Sequence, residues 1–153
     1  MGERVIMNRE ILFKARTTKK HNEKHAFDNV WVEGDLIRSG GKYYIHTTGN
    51  KVNVDEELGK IIVMHEIDQT TLCQYTGLVD KNGQKIWEND IVNRTDLHVV
   101  SEPSIGFIEY DLENTSFLIH WTNKVEYSPT YHWKDKLQVI GNIFDNAELL
   151  EVE

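Results

Sequence analysis

The sequence predicts a mainly β protein of short strands and tight turns. Three observations carry that expectation. Two short turn signals, Asn82-Gly83 and Gly40-Gly41, each stand between strand-forming runs. No long segment repeats apolar residues at helical spacing. The stretch 74–92, QYTGLVDKNGQKIWENDIV, reads as a hairpin that leads straight into another strand.

Asn-Gly favours a type I′ turn, because both central residues need φ > 0. With Asn82-Gly83 as the loop, Lys81 faces Gln84, Asp80 faces Lys85, Val79 faces Ile86 and Leu78 faces Trp87. Asp80 with Lys85 is then an opposite-charge pair and Val79 with Ile86 an apolar pair, each worth about 0.2–1 kcal/mol. Apolar residues point to both faces of this ribbon, which suggests a strand of a small barrel rather than a one-sided sheet. Glu88-Asn89-Asp90 turns the chain, and Ile91-Val92 starts the next strand.

From the beginning, residues 11–16 read as a strand with Ile11, Phe13 and Ala15 on one face. Residues 17–25 are polar and without period, a loop. Val30-Trp31-Val32 is β-branched and aromatic. Residues 35–39 and 42–47 form a hairpin about Gly40-Gly41. Residues 55–59 read as one helical turn and 60–67 as a strand. Past Val92, residues 93–104 are polar, hold Pro103 and predict a long loop. Residues 105–110 and 116–121 are two strands, the second with Phe117, Ile119 and Trp121 on one face; 125–128 pairs with it. Residues 137–140 are a further strand. Asp145 and Glu148 have capping-box spacing before Leu149-Leu150, which predicts a short C-terminal helix. Glu33-Gly34-Asp35-Leu36-Ile37 echoes Glu88-Asn89-Asp90-Ile91-Val92. Duplication and a common way of entering a strand both account for five positions.

Composition narrows the class. The 153 residues are 39% hydrophobic and 27% charged, ordinary for a globular chain that buries a core. No apolar run has the length of a membrane span and no signal-peptide pattern opens the chain, so a cytoplasmic setting is expected, with no membrane partner. The single cysteine, Cys73, fits a reducing compartment. The net charge is −8, unevenly placed: residues 1–25 carry seven Lys/Arg against three Asp/Glu, and the remainder ten against twenty-two. The acidic body disfavours broad phosphate-backbone binding. The basic segment containing Lys14, Arg16, Lys19, Lys20 and Lys24 reads either as a solvated loop or as a nucleic-acid contact, made chiefly by Lys19, Lys20 and Lys24.

A search for chemistry finds no catalytic, cofactor or metal constellation. His21 and His25 are four apart, but in a loop that does not converge two rings. His65-Glu66 begins like a zinc-protease motif, yet position 69 is Gln69. Cys73 has no CxxC partner, and no phosphate loop or nucleophile elbow occurs. Aromatics are concentrated in the second half. Tyr75, Trp87, Tyr127, Tyr131 and Trp133 are candidate partner-binding residues, with core filling as the alternative.

The stretch 74–92 resembles the YopX family of phage and prophage proteins. The resemblance rests on Gln74-Tyr75-Thr76-Gly77-Leu78, Asp80-Lys81-Asn82-Gly83, Ile86-Trp87-Glu88 and Asp90-Ile91-Val92. Asn89 stands where glycine is usual, and Asn tolerates the left-handed region. Arg9-Glu10-Ile11-Leu12-Phe13-Lys14-Ala15 and Val139-Ile140-Gly141-Asn142-Ile143-Phe144, with Leu149-Leu150, extend the resemblance over nearly the whole chain. It implies an SH3-like barrel and a bacterial cytoplasm, and it supplies no reaction. The expected organisation is an N-terminal β-hairpin region at 1–70, an SH3-like barrel at 71–144 and a short helix at 145–153, or all of these as one domain. The expected function is a non-enzymatic module that binds a protein partner or itself. The alternatives are a nucleic-acid-binding accessory protein and an enzyme with an unrecognised site.

Overall fold

The computed structural model describes residues 10–18, 28–47, 64–95, 104–122 and 127–151. The expected helical turn at 55–59 and the first half of the 60–67 strand, residues 60–63, lie outside them. Within them the protein is antiparallel β, in two sheets. The first contains β1 (Phe13–Arg16), β2 (Trp31–Ser39), β3 (Lys42–His46), β4 (Met64–Glu66), β5 (Cys73–Val79) and β6 (Lys85–Trp87), in the order β4-β3-β2-β1-β5-β6. The second contains β7 (Asp90–Arg94), β8 (Ile105–Asp111), β9 (Ser116–Trp121), β10 (Tyr127–Pro129) and β11 (Leu137–Asn142), in the order β10-β9-β8-β7-β11. Among the described residues neither sheet closes, so the expected SH3-like barrel is replaced by two open sheets. The hairpin β5–β6 belongs to the first sheet, and β7 begins the second.

The turn chemistry explains most strand pairings. Gly40 and Gly41 take φ of +58° and +79°, and Ser39 pairs with Lys42 across them, so β2 and β3 form the expected two-residue hairpin. Strands β8 and β9 pair from Asp111 opposite Ser116 back to Gly106 opposite Trp121. At the edge of the second sheet, β10 ends in Pro129, a residue with no N–H to offer a further strand.

The Asn82-Gly83 hairpin differs from its expected register. The loop is Lys81-Asn82-Gly83: the Asp80 N–H donates to the Gln84 carbonyl at 2.7 Å, and Val79 pairs with Lys85. Asp80 causes the change. Its Oδ1 accepts the N–H groups of Asn82 at 2.8 Å and Gln84 at 3.0 Å, so only Gly83 enters the left-handed region, at φ +81°. Asp80 is buried and does not pair with Lys85, which reaches Glu33 at 3.0 Å instead.

Both faces of β6 are buried at Ile86 and Trp87, as the pattern suggests, but for a different reason, while Val79 on β5 is exposed. Strand β6 lies at the junction of the sheets. Ile86 joins Val92, Ile108, Ile119, Trp121 and Leu137 in one core cluster. Trp87 joins Leu12, Cys73 and Tyr75 in a second. A third, around Ala15, Ile45 and Ile67, fills the N-terminal sheet. Leu12 rather than Ile11 turns inward: Leu12 packs with Cys73, Tyr75 and Trp87, and Ile11 is 59% exposed.

The two echoing segments differ in conformation. Residues 33–37 run inside β2, whereas Glu88-Asn89 make a turn before β7 with Asn89 at φ +66°. Asparagine therefore fills the left-handed position as its tolerance predicts. Gly34 has its own reason: a Cβ there would sit 1.9 Å from the His46 carbonyl oxygen.

The expected C-terminal helix is a single 3-10 turn, Ala147–Leu150. Asp145 does not cap it. Its carboxylate is held by Arg16, by the Trp31 Nε1–H at 2.8 Å and by the Asn142 Nδ2–H at 2.9 Å. The residue that would have started a helix ties the C-terminus to β1 and β2.

Candidate functional site

A groove of about 690 Å³ lies between β5 and the β8–β9 hairpin. Its first wall is the segment Gln74-Tyr75-Thr76-Gly77-Leu78, and its second is Tyr110 with Thr115, Ser116 and Phe117. Glu10 and Thr130 complete it.

A bulge shapes the first wall. Tyr75 pairs with Trp87 and Val79 with Lys85, so β5 advances four residues while β6 advances two. Gly77 absorbs the excess at φ +85°, with open space where a Cβ would be. Thr76 repairs the ladder. Its hydroxyl donates to the Ile86 carbonyl at 2.7 Å and accepts the Leu78 N–H at 3.2 Å. On the second wall, Tyr110 and Phe117 are cross-strand partners whose rings meet edge to face at 5.1 Å. Thr130 fixes that wall by donating to the Phe117 carbonyl at 2.9 Å.

The surroundings are acidic at Glu10, whose side chain is 57% exposed. Lys85 lies 3.8 Å from Glu10 but only 3.0 Å from Glu33, and the Glu33 bond leads the interactions that raise the Lys85 pKa. Glu88 accepts the Gln74 N–H at 3.3 Å; burial pushes its pKa up.

The aromatic residues singled out in the sequence separate. Tyr75 lines the groove but is mostly buried, its ring 5.4 Å from Trp87. Trp87 lies in the core. Trp133 is half-buried, edge to face with Trp121 at 6.2 Å, and the Arg94 guanidinium stacks 4.2 Å from its ring centroid. Tyr127 opens β10 and Tyr131 sits in the 3-10 turn Thr130–His132. Lys19, Lys20 and Lys24 lie outside the described residues. The sequence pointed to Tyr75 on the first wall but not to Tyr110, Ser116 or Phe117 on the second. The available signal was Gly77, a glycine inside a strand pattern.

Two basic residues of the N-terminal segment turn inward. The Lys14 ammonium lies 5.4 Å from the Trp31 ring centroid and 5.2 Å from that of Trp87, and it pairs with Asp90 at 2.9 Å. Arg16 packs over Trp31 and holds Asp145. Cys73 is fully buried beside Asn89, and desolvation pushes its thiol up to about 11, the opposite of an activated nucleophile. Among the described residues, no group of three or more His, Cys, Asp or Glu side chains is placed to hold a metal ion. No helix among them is long and apolar enough to cross a membrane.

The two open antiparallel sheets define an all-β protein. The sequence profile of the YopX protein family matches residues 16–151, so the chain belongs to that family. A crystal structure of a protein from Enterococcus faecalis has the same fold, with a TM-score of 0.51 at 19% identity, over 93% of this chain and 99% of that one. A search of curated proteins found no match.

Proposed function

We propose that this chain is a non-enzymatic, phage- or prophage-encoded module that binds a partner protein through the β5/β8–β9 groove. The observation that carries the reading is the placement of exposed apolar side chains. Tyr110 lines the groove at 36% exposure. Ile11 and Val79, also exposed, are chain neighbours of the lining residues Glu10 and Leu78. Leu112, 83% exposed, lies in the turn that follows Tyr110. The lining itself is partly apolar, with Tyr75, Leu78, Tyr110 and Phe117, and apolar side chains about one concavity favour protein contact over a purely solvated surface. Family resemblance supports the phage or prophage origin, and the lone buried thiol supports a cytoplasmic setting.

The nucleic-acid reading loses two of its cations, since Lys14 and Arg16 serve internal contacts. The enzyme reading loses its nucleophile with the burial of Cys73. The test is capture from a bacterial lysate by the wild-type protein and by Tyr110→Asp and Leu112→Asp variants, with sedimentation of each. Partners held by the wild type and lost by both variants support the module. A monomer that retains the same proteins regardless of either substitution overturns it.

A further inference from the structure

We propose that the groove takes one extended peptide segment of another protein, basic in charge and carrying an apolar anchor. The inference rests on the protein-binding reading above and gives the partner a chemistry.

The extended form follows from the walls. Both are strands that outrun a neighbour. The ladder between β1 and β5 reaches Gln74, and the Leu12 carbonyl accepts the Tyr75 N–H at 2.9 Å. The ladder between β7 and β8 covers Ile105 to Phe107, and the Ile108 carbonyl accepts the Asn89 N–H at 2.8 Å. Past these points, among the described residues, the ladder partners of β5 lie in β6 alone, at Tyr75 and Val79 on either side of the bulge, and those of β8 in β9 alone. The residues reached there, Thr76 to Leu78 and Tyr110, are groove residues. The Leu78 N–H is held by the Thr76 hydroxyl; the main-chain groups that no neighbour holds are open to an incoming strand, and alternate side chains of that strand then enter the pocket.

The anchor follows from the Tyr110–Phe117 pair beside Tyr75, an aromatic surface for an aliphatic or aromatic side chain. The charge follows from Glu10. Its exposed carboxylate faces a lysine that Glu33 already holds more closely. Beyond residue 25 the chain carries twenty-two acidic against ten basic side chains, which draws a cationic segment and repels an anionic one.

Selection from a random linear peptide library on the immobilised full chain tests this. The expected peptides carry Lys or Arg beside an apolar residue. Their affinity falls about tenfold or more in Tyr110→Asp. It falls about two- to fivefold in Glu10→Lys and on raising salt. Unchanged melting temperatures show that the variants fold. Acidic or uncharged winners, no enrichment, or binders indifferent to Tyr110→Asp overturn the inference. So does a concentration-dependent dimer that Tyr110→Asp abolishes, which would make a second copy the occupant. The binding-module reading fails separately, when lysate capture ignores the groove substitutions.

Discussion

The Asp80 carboxylate accepts the backbone N–H of Val139 at 3.0 Å, across 59 residues of chain. One of its oxygens shapes the β5–β6 loop and the other holds the β11 edge of the second sheet. The Lys81 N–H adds a bond to the Leu137 carbonyl at 3.0 Å. The family-signature loop is therefore also a clamp between sheets.

Replacing Asp80 with Ala leaves three N–H groups without their acceptor. The expected loss is about 2–4 kcal/mol of unfolding free energy in urea denaturation. Asp80→Asn keeps one carbonyl oxygen and loses less. Equal stability of Asp80→Ala and the wild type would show that water replaces the clamp.

Lys14 and Asp90 supply a test of sign. Burial raises the Asp90 pKa more than Lys14 and the Trp87 N–H lower it. The folded state then takes up a proton before the unfolded chain does. Asp90 costs stability above its folded pKa, and that cost fades as pH falls toward the unfolded value of about 3.9. Wild type is expected to gain stability relative to Asp90→Asn on acidification through this window. A gain in the opposite direction would mean that the Lys14 ion pair outweighs desolvation.

Two glycines separate steric from conformational demand. Gly34→Ala drives a Cβ into the His46 carbonyl, and should cost about 3 kcal/mol or more, or prevent folding. Gly77→Ala meets open space and only the left-handed penalty, about 1–2 kcal/mol. Thermal melts of the two variants rank them, and the reverse ranking contradicts the packing at Gly34.

Cys73 is expected to resist a thiol reagent in the native protein at pH 8 and to react fully in denaturant, since its thiol is buried and its pKa stands near 11. Fast native labelling would place the thiol at the surface.

The sequence alone determined the β class, the Gly40-Gly41 hairpin, the β8–β9 pair and the left-handed turn at Asn89. Each depends on residues a few positions apart, so local backbone preference suffices. It also carried the family, through residues 74–92. Only the tertiary structure decided the partition into two sheets and the outcome at particular acids. Asp80 looked like a partner for Lys85, Asp145 like a helix cap, and Lys14 like part of a basic surface. All three are taken by partners far along the chain: Val139, then Arg16 with Trp31, then Asp90. A short-range pattern cannot rank such competitors, because a buried carboxylate or ammonium goes to whichever partner the fold brings near. The groove has the same origin. Residues 74–78 and 110–117 face each other only once β5 bulges at Gly77 and the two sheets meet along β6.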